Sequence, residues 1–284
     1  MTTKAQESIE QIVGELQELK LFPPAAARIL RLANNPVANL RSIEQAVKLD
    51  PILSARVLKI ANSAYYGAPH RVATLGQALG VMGFQPAREM AVALAIGSIE
   101  TKGVSPSRNL WEHSMKTAVT SRLLGRYVKN IDNNALFIAG LLHDIGQTLL
   151  YAVKGKEYAT LAEKFKGDYN KLVLAERFAY KFDHAQLGAQ CLKQWNLPDL
   201  TVNIIEHHHV GLLEKPQEPH LIGAYVIQLA ESVISLYERG IRGPKLINSA
   251  SAHPACLALE LTTPTLEVVV DLITEEFQAL SSLY

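Results

Sequence analysis

The chain has 284 residues, which is enough to form one large domain or two smaller ones with buried cores. Its 28 lysines and arginines nearly balance 27 aspartates and glutamates, so it lacks the positive field that gathers nucleic acid or acidic lipid. Intrinsic disorder is also excluded, because 48% of the residues are hydrophobic and only 19% are charged. We therefore expect a folded protein with no nucleic-acid or membrane partner.

Two features predict a cytoplasmic protein. The only cysteines, Cys191 and Cys256, are too few for a disulfide framework and too far apart in sequence for a zinc knuckle. The N-terminal residues MTTKAQESIEQ also lack the apolar core of a secretory signal peptide.

Apolar residues recur at spacings of three and four along nearly the whole chain, which is typical of amphipathic helices. An N-terminal helix is predicted over 6–20, and Phe22-Pro23-Pro24 ends it. Asp50 before Pro51 is a helix-start signal, since aspartate caps a first turn and proline fits it. Further helices are predicted over 51–62, 74–82, 85–101, 107–130, 133–153, 156–166, 169–180, 184–195, 198–208, 219–238 and 265–280. No segment alternates as a strand does, so the predicted fold class is all-α without a β-sheet.

Two stretches predict breaks in this helical pattern. The polar residues 101–107 contain glycine and proline and indicate an internal boundary. Residues 240–264 are rich in glycine, proline and serine, which predicts a loose connection to a terminal helix.

The segment 135–153, ALFIAGLLHDIGQTLLYAV, has apolar residues on every side, as a buried helix does. Its only formally charged side chain is Asp144, and a buried carboxylate is unfavourable unless it is paired or bound to a cation. One interpretation is a metal pair formed with His143. The alternatives are a His-Asp pair satisfied by helix caps or by a distant arginine, and a membrane span, which the polar residues at its centre disfavour.

A helical projection of residues 107–130 places His113 on the inner side of its helix. The residues that share its arc are Leu110, Thr117, Thr120, Leu124 and Val128. The residues on the opposite side are Arg108, Glu112, Lys116, Arg122, Arg126 and Lys129. His113 is therefore either a ligand or an ordinary core histidine.

Later helices carry further candidates, each with an ordinary alternative. His184 follows Asp183, a predicted N-cap, and could instead lie at a surface helix start. The three histidines at 207–209 project in different directions, so at most two can reach one site. The field of a helix C-terminus would also favour imidazolium there. Glu231 lies in a mainly apolar helix, facing either the interior or solvent.

Taken together, these side chains offer mixed nitrogen and oxygen ligands, which suit iron, manganese, zinc or nickel. Six or seven ligands fit two ions better than one. Two ions sharing Asp144 would polarise a phosphate ester and activate a water molecule.

The motifs WEHS, GLLHDIG, FDHAQLGAQCLKQWNLP and IIEHHH resemble those of the HD superfamily of metal-dependent phosphohydrolases. The phrases LFPPAAARILRLANN, LDPILSARVLKIANSAYYG and TLGQALGVMGF more specifically resemble the HDOD family. The resemblance covers about residues 20–240 and implies a bacterial signalling or regulatory protein. It implies one HDOD domain over 21–240, in which an N-terminal helical subdomain (21–105) packs on an HD-like metal-site bundle (106–240). An N-terminal helix (1–20) precedes this domain, and a C-terminal extension with a terminal helix (241–284) follows it.

The same resemblance implies a ligand set, residue by residue: His113, His143, Asp144, His184, His208 and His209. Glu231 stands where active HD relatives commonly have aspartate, and it could still coordinate. In an active enzyme His143 and Asp144 would also be the catalytic pair. His207 is outside the implied set.

Two departures from active relatives affect the expected function. Active HD enzymes often carry a substrate-facing lysine where this chain has Gln147, whose amide lacks the charge that stabilises a phosphoryl transition state. The Gly-Tyr-Pro signature of cyclic di-GMP hydrolases is absent after His209, where the sequence reads VGLLEKPQEPH. Hydrolysis of cyclic di-GMP is therefore not expected, although its binding stays open.

The leading hypothesis is a signalling protein that holds one or two divalent transition metal ions and acts mainly by binding a signalling partner or a nucleotide ligand. The alternative is a metal-dependent phosphohydrolase that acts on a phosphate mono- or diester. A third possibility is a helical scaffold without metal.

Overall fold

The computed structural model describes residues 3–18, 25, 28–29, 32, 35, 37–62, 72–96, 108–165, 167–195, 197–211 and 215–281. In these residues every regular element is an α-helix and no strand occurs, so the all-α prediction is confirmed. The chain forms two compact units, one made of Met1–Glu15 and Thr101–Tyr284 and the other of Leu16–Glu100. The predicted breaks at 22–24 and 101–107 lie outside the described residues, and the domain limits at 20, 105 and 240 stay predictions.

The smaller unit is built from short helices with strong start signals. Its helices are α2 (Leu40–Val47), α3 (Pro51–Ala61), α4 (Leu75–Met82) and α5 (Phe84–Ile96). Helix α2 was not predicted, although Asn39 and Ser42 form a reciprocal cap at its start. Helix α3 starts as predicted, with the Asp50 carboxylate accepting hydrogen bonds from the backbone of Ile52 and Leu53.

The larger unit holds the HD-like motifs. It contains most of α1 (Thr3–Glu18), which ends in the part of the chain assigned to the smaller unit. Its other helices are α6 (Arg108–Gly125), α7 (Asn133–Leu142), α8 (Ile145–Lys154), α9 (Lys156–Lys164), α10 (Tyr169–Tyr180), α11 (His184–Gln194), α12 (Asp199–His207), α13 (Pro219–Glu238), α14 (Gly243–Ser251), α15 (Pro254–Ala258) and α16 (Thr263–Ser281). Helix α6 packs on α7 and α13, and α11 packs on α8 and α12. This arrangement surrounds the junction between α7 and α8 with helices.

The structure divides the helix predicted over 133–153 into α7 and α8. His143 and Asp144 lie between them, and Asp144 has φ −95° and ψ 12°. Apolar residues on both sides of the break suit a continuous buried helix equally well, so hydrophobic periodicity could not reveal it. The break places the polar pair at the centre of the unit rather than within a regular helix.

Close approach of α6 and α7 depends on Gly140. A Cβ atom at this position would lie 2.7 Å from the Ala118 Cα atom, which is nearer than a carbon contact allows. Glycine therefore allows the backbones of the two helices to touch, and this brings the end of α7 towards α6.

Three further predictions need correction. Helix α6 ends at Gly125 rather than near 130, and residues 240–264 contain α14 and α15 rather than a loose connection. The prolines in that stretch stand at helix starts, where proline is favoured, and not at breaks. Lys116 is buried and not solvated, because it pairs with Glu112 and with Glu238 of α13 while lying 5.7 Å from the Phe277 ring centre.

Two segments are long and apolar enough to cross a membrane, Asn133–Lys154 and Pro219–Glu238. In their most apolar windows 83% and 61% of the residues are buried inside the protein. Packing against protein therefore accounts for their apolar character. The cytoplasmic location stays a prediction.

Candidate metal centre

The structure gathers all seven of the side chains proposed as ligands in the larger unit. They come from α6 (His113), the α7–α8 junction (His143 and Asp144), the start of α11 (His184), the residues after α12 (His208 and His209) and α13 (Glu231). Six of them are at most 7% exposed, and His209 is partly exposed. Solvent-facing alternatives for His184 and Glu231 therefore do not hold.

Asp144 is the hub of this arrangement. Its Oδ2 atom lies 3.3 Å from His143 Nε2 and 3.8 Å from His113 Nε2. Its other oxygen, Oδ1, lies 3.1 Å from His184 Nε2. Glu231 joins the same group through Oε1, which lies 3.6 Å from His143 Nε2.

Two groups of three side chains have ligand atoms close enough to hold an ion. The His-Asp cluster consists of His113, His143 and Asp144, and the three-histidine cluster consists of His184, His208 and His209. Within each cluster the ligand atoms lie within 4.8 Å of one another. The Nε2 atoms of His184 and His209 are only 2.9 Å apart. The two clusters meet where His184 approaches Asp144.

Hydrogen bonds at Nδ1 orient three of the imidazoles. His143 Nδ1 donates to the Gly140 carbonyl oxygen at 2.8 Å, and His208 Nδ1 donates to the Ile205 carbonyl oxygen at 2.7 Å. His184 Nδ1 lies 2.7 Å from a carboxylate oxygen of Glu176. Oxygens of this kind only accept hydrogen bonds, so the proton of each neutral ring is on Nδ1. Each Nε2 lone pair is then directed into the cluster and is available to an ion.

The remaining polar atoms of the centre are buried without a hydrogen-bond partner. They are both ring nitrogens of His113, Nε2 of His143 and of His208, both Asp144 oxygens, and Glu231 Oε1. Folded proteins rarely bury so many polar atoms unsatisfied, and a divalent ion would satisfy them. Imidazole nitrogen and carboxylate oxygen are ligands that iron, manganese, zinc and nickel accept. The residues present therefore fit one or two such ions.

Burial and neighbouring carboxylates shift the pKa values of the histidines in opposite directions. Burial lowers the pKa of His208 to about 4. Burial also lowers the pKa of His143, but Asp144 and Glu231 outweigh it and raise that pKa to about 10. For Asp144, burial is outweighed by His143 and His184, which hold its pKa well below the ordinary value.

A close contact between backbones holds Asp144 near His184. A Cβ atom on Gly146 would lie 1.9 Å from the carbonyl oxygen of His184, so only glycine permits the starts of α8 and α11 to touch. Asp183 caps α11 by accepting a hydrogen bond from the Gln186 backbone at 2.9 Å, which confirms the predicted helix start.

Gln147 lies in the first turn of α8 and is 6% exposed. Its Nε2 atom is buried and has no hydrogen-bond partner. Within the part of the chain that the structure describes, the ion-pair partners of Asp144 and Glu231 are histidines and not lysine or arginine. The substrate-facing role of Gln147 stays a prediction.

Sequence reasoning missed two side chains beside the centre. Glu176 is fully buried, and its spacing of three and four residues from Val173 and Leu172 on α10 is a signal that could have placed it inside. Tyr169 stacks on His113 with ring centres 5.7 Å apart, and burial together with the Asp144 charge raises its pKa. No local pattern in the sequence marks Tyr169.

His207 lies outside the cluster, as predicted. Its Nδ1 atom donates to the Asn203 carbonyl oxygen at 2.8 Å, and its ring centre lies 5.0 Å from that of His220. Two of the three adjacent histidines thus reach the centre.

Comparisons with known proteins identify the family of this chain. The sequence pattern of the HDOD domain family matches residues 19–210. This chain belongs to the HDOD family. An uncharacterized protein of Treponema pallidum (strain Nichols) is 25% identical over 221 residues, which make up 76% of this chain and 42% of that protein. The chain thus spans less than half the length of that relative.

Solved structures share the fold. An HDOD domain protein of unknown function from Geobacter sulfurreducens has a TM-score of 0.69 and 20% identity, with 99% of this chain and 98% of that chain covered. A Shewanella amazonensis protein provisionally described as a phosphohydrolase has a TM-score of 0.71 and 22% identity, covering 94% and 95%. A Marinobacter aquaeolei protein provisionally described as a signal transduction protein has a TM-score of 0.68 and 21% identity, covering 99% and 64%. At these identities the similarity shows the fold alone.

Proposed function

We propose that this HDOD protein is a signalling or regulatory protein whose HD-like centre holds one or two divalent transition metal ions. It acts mainly by binding a signalling protein partner or a nucleotide ligand. The proposal is carried by a ligand set with many buried polar atoms that lack a hydrogen-bond partner. Among the described residues, the carboxylates of this set pair with histidines. Such a centre can bind a metal, and the positive charge that a phosphate would meet there comes from the ions and from His143.

The two clusters would divide the metal ligands between them. The His-Asp cluster would hold one ion and the three-histidine cluster the other, with Asp144 near both and Glu231 beside His143. A bound ion supplies Lewis-acid polarisation of an oxygen ligand. The protein residues keep the Nε2 lone pairs directed inward and exclude bulk water by burying nearly every ligand.

Gln147 supports a binding function over turnover. A phosphoryl group in transfer gains stabilisation from a fixed positive charge close to its oxygens. The amide of Gln147 can donate a hydrogen bond to a phosphate oxygen, but it adds no charge. The transition state of a bound phosphate ester would therefore lack the stabilisation that a lysine at this position would add.

The alternative function is a metal-dependent phosphohydrolase that acts on a phosphate mono- or diester. The observation in its favour is that the side chains that the HD resemblance implies as ligands converge in the structure, with Asp144 close to His113 and His184 and with Glu231 close to His143. In this case Asp144 and His143 would be the catalytic pair within the metal centre.

Metal analysis and activity assays on the full chain separate these functions. We expect stoichiometric transition metal by elemental analysis and no turnover of phosphate mono- and diesters with manganese, iron, nickel or zinc. We also expect binding of a nucleotide in calorimetry or capture of a signalling protein. Robust turnover that disappears in Asp144→Asn would overturn the binding function in favour of the hydrolase, and absence of metal would leave a helical scaffold.

A further inference from the structure

A buried carboxylate beside the metal centre has no place in either cluster. Glu176 of α10 is fully buried, and its Oε2 atom accepts hydrogen bonds from both the backbone N–H (2.9 Å) and Nδ1 (2.7 Å) of His184. Its Oε1 atom accepts a hydrogen bond from the Tyr158 hydroxyl at 2.6 Å. Both oxygens are therefore engaged away from the ligand atoms, which indicates a role in orienting His184.

The contact with Glu176 determines the orientation of the His184 ring and which of its nitrogens can bind an ion. Because a carboxylate only accepts hydrogen bonds, it holds the proton of the neutral imidazole on Nδ1. Nε2 is then the ring atom directed into the cluster, 2.9 Å from His209 Nε2 and 3.1 Å from Asp144 Oδ1, and it is available to an ion once it carries no proton. The ring is thus fixed in the orientation and tautomer that a metal ligand requires.

His184 differs in this respect from the other oriented histidines. The Nδ1 atoms of His143 and His208 donate to neutral carbonyl oxygens three residues earlier in their own helices. The partner of His184 is a carboxylate from a different helix. A carboxylate partner makes an imidazole a more basic ligand than a carbonyl does.

We propose that Glu176 is a positioning residue that, with Tyr158, makes the three-histidine cluster the tighter-binding half of the metal centre. The inference rests on one part of the proposed function, namely that the centre holds metal. Tyr158 keeps Glu176 in place by its hydrogen bond, and Glu176 orients and strengthens His184. Two ions bound at the centre would consequently differ in affinity.

The backbone of His184 is held in place by contacts that do not involve the Glu176 side chain. Arg177, next to Glu176 on α10, donates from Nε to Asp183 Oδ2 at 2.8 Å. Gly146 also keeps the start of α8 against the His184 carbonyl group. Glu176→Gln, which keeps the size of the side chain and removes its charge, should therefore leave α11 docked.

The test is a titration of the metal-free full chain with Zn²⁺ against a chromophoric chelator. We expect the wild type to bind Zn²⁺ with two dissociation constants. Glu176→Gln should raise the smaller dissociation constant, that of the tighter site, by about 10- to 100-fold and leave the larger one unchanged. Tyr158→Phe should weaken the same constant by a smaller factor. His209→Ala should abolish it, because this variant removes a ligand of the three-histidine cluster. The matched control is Lys171→Gln, an exposed substitution on the same helix whose side chain pairs with Asp168, and it should leave both constants unchanged.

The outcomes separate this inference from the proposed function. If the wild type binds no Zn²⁺, the metal centre itself is wrong and the inference falls with it. If the wild type binds Zn²⁺ and folded Glu176→Gln retains the wild-type constants, the inference alone is overturned. If circular dichroism shows that Glu176→Gln is unfolded, Tyr158→Phe decides, and an unchanged tight constant overturns the proposal. If the wild type binds only one ion, the inference is supported when His209→Ala loses that ion and Glu176→Gln binds it more weakly. The inference is overturned when either variant binds the ion with wild-type affinity.

Discussion

Oδ1 of Asp144 lies 3.1 Å from Nε2 of His184, although Asp144 precedes α8 and His184 begins α11. This contact connects the His-Asp cluster to the three-histidine cluster. A carboxylate in this position, with both oxygens free of hydrogen bonds, can contribute to ions on either side.

Asp144→Asn should abolish metal binding and leave the metal-free protein folded. The variant removes the charge that faces three histidines, and His143 can lose its proton when that charge is gone. Wild-type protein should gain about 2.7 kcal/mol of stability at a free-metal concentration one hundred times Kd, and the variant should gain none. Elemental analysis and thermal melts with and without metal measure both effects.

A matched control is Asp132→Asn, since Asp132 is an exposed N-cap of α7 and asparagine caps helices equally well. This variant should retain wild-type metal content. Normal metal content in Asp144→Asn would contradict the assignment of Asp144 as the hub.

Gly146→Ala should destabilise the larger unit and weaken metal binding together. The added Cβ atom would press on the His184 carbonyl oxygen and push α8 away from α11, separating Asp144 from His184. Overpacking of this kind destabilises a fold by about 1–3 kcal/mol or more. Denaturant unfolding and Zn²⁺ titration follow the two effects.

The comparison variant for this prediction is Gly14→Ala in α1. A Cβ atom at Gly14 meets nothing within 4 Å, and alanine favours a helix over glycine by about 1 kcal/mol. This variant should be neutral or slightly more stable. Equal stability of the two alanine variants would show that the backbone contact at Gly146 is unimportant.

Glu231→Asp should weaken metal binding. The shorter side chain would withdraw the carboxylate from His143, whose Nε2 atom now lies 3.6 Å from Glu231 Oε1. We expect a loss of at least about tenfold in affinity, the effect that removing even an orienting partner of a ligand produces. Competition titration measures the change.

The control for the shortened side chain is Glu218→Asp, an exposed substitution at the start of the same helix. It should bind metal as the wild type does. An affinity of Glu231→Asp equal to or above that of the wild type would exclude Glu231 from the ligands.

Metal binding at pH 7 should release at least one proton. Burial lowers the pKa of His143, but Asp144 and Glu231 raise it to about 10, so the ring is protonated in metal-free protein and must lose that proton to coordinate. His208 contributes no proton, because burial lowers its pKa to about 4. Calorimetric titrations in buffers with different ionisation enthalpies count the protons released.

The same raised pKa predicts the pH dependence of metal-free stability. A histidine whose pKa rises on folding contributes stability that is fully present below its ordinary pKa of 6.5 and is lost as pH rises through its folded value. The contribution of His143 should therefore decline between pH 6.5 and about 10. His143→Gln, unfolded by denaturant across this range, should show a smaller decline. Part of the decline should remain because Glu176 and Asp144 outweigh burial and raise the pKa of His184 as well. Identical pH profiles for variant and wild type would contradict the ion pair.

The sequence by itself determined the helical class, most helix positions and the identities of the candidate ligands. Local effects govern these features: apolar spacing selects a helix, and the Asp50 and Asp183 caps mark helix starts that the structure confirms. The lone Asp144 in an apolar segment was recognisable because an isolated charge is unfavourable in a buried helix. Resemblance to the HD motifs then suggested which histidines accompany it.

Only the tertiary structure decided how these residues meet. Periodicity is insensitive to the break at His143, since apolar residues on both sides suit one helix or two. Contacts between helices bury Lys116 and place Glu176 beside His184, because the environment of a side chain depends on which helices pack against its own. The division of the ligands into two clusters also follows from packing, since distances between separate helices are set by side-chain contacts and close backbone approaches such as that at Gly146.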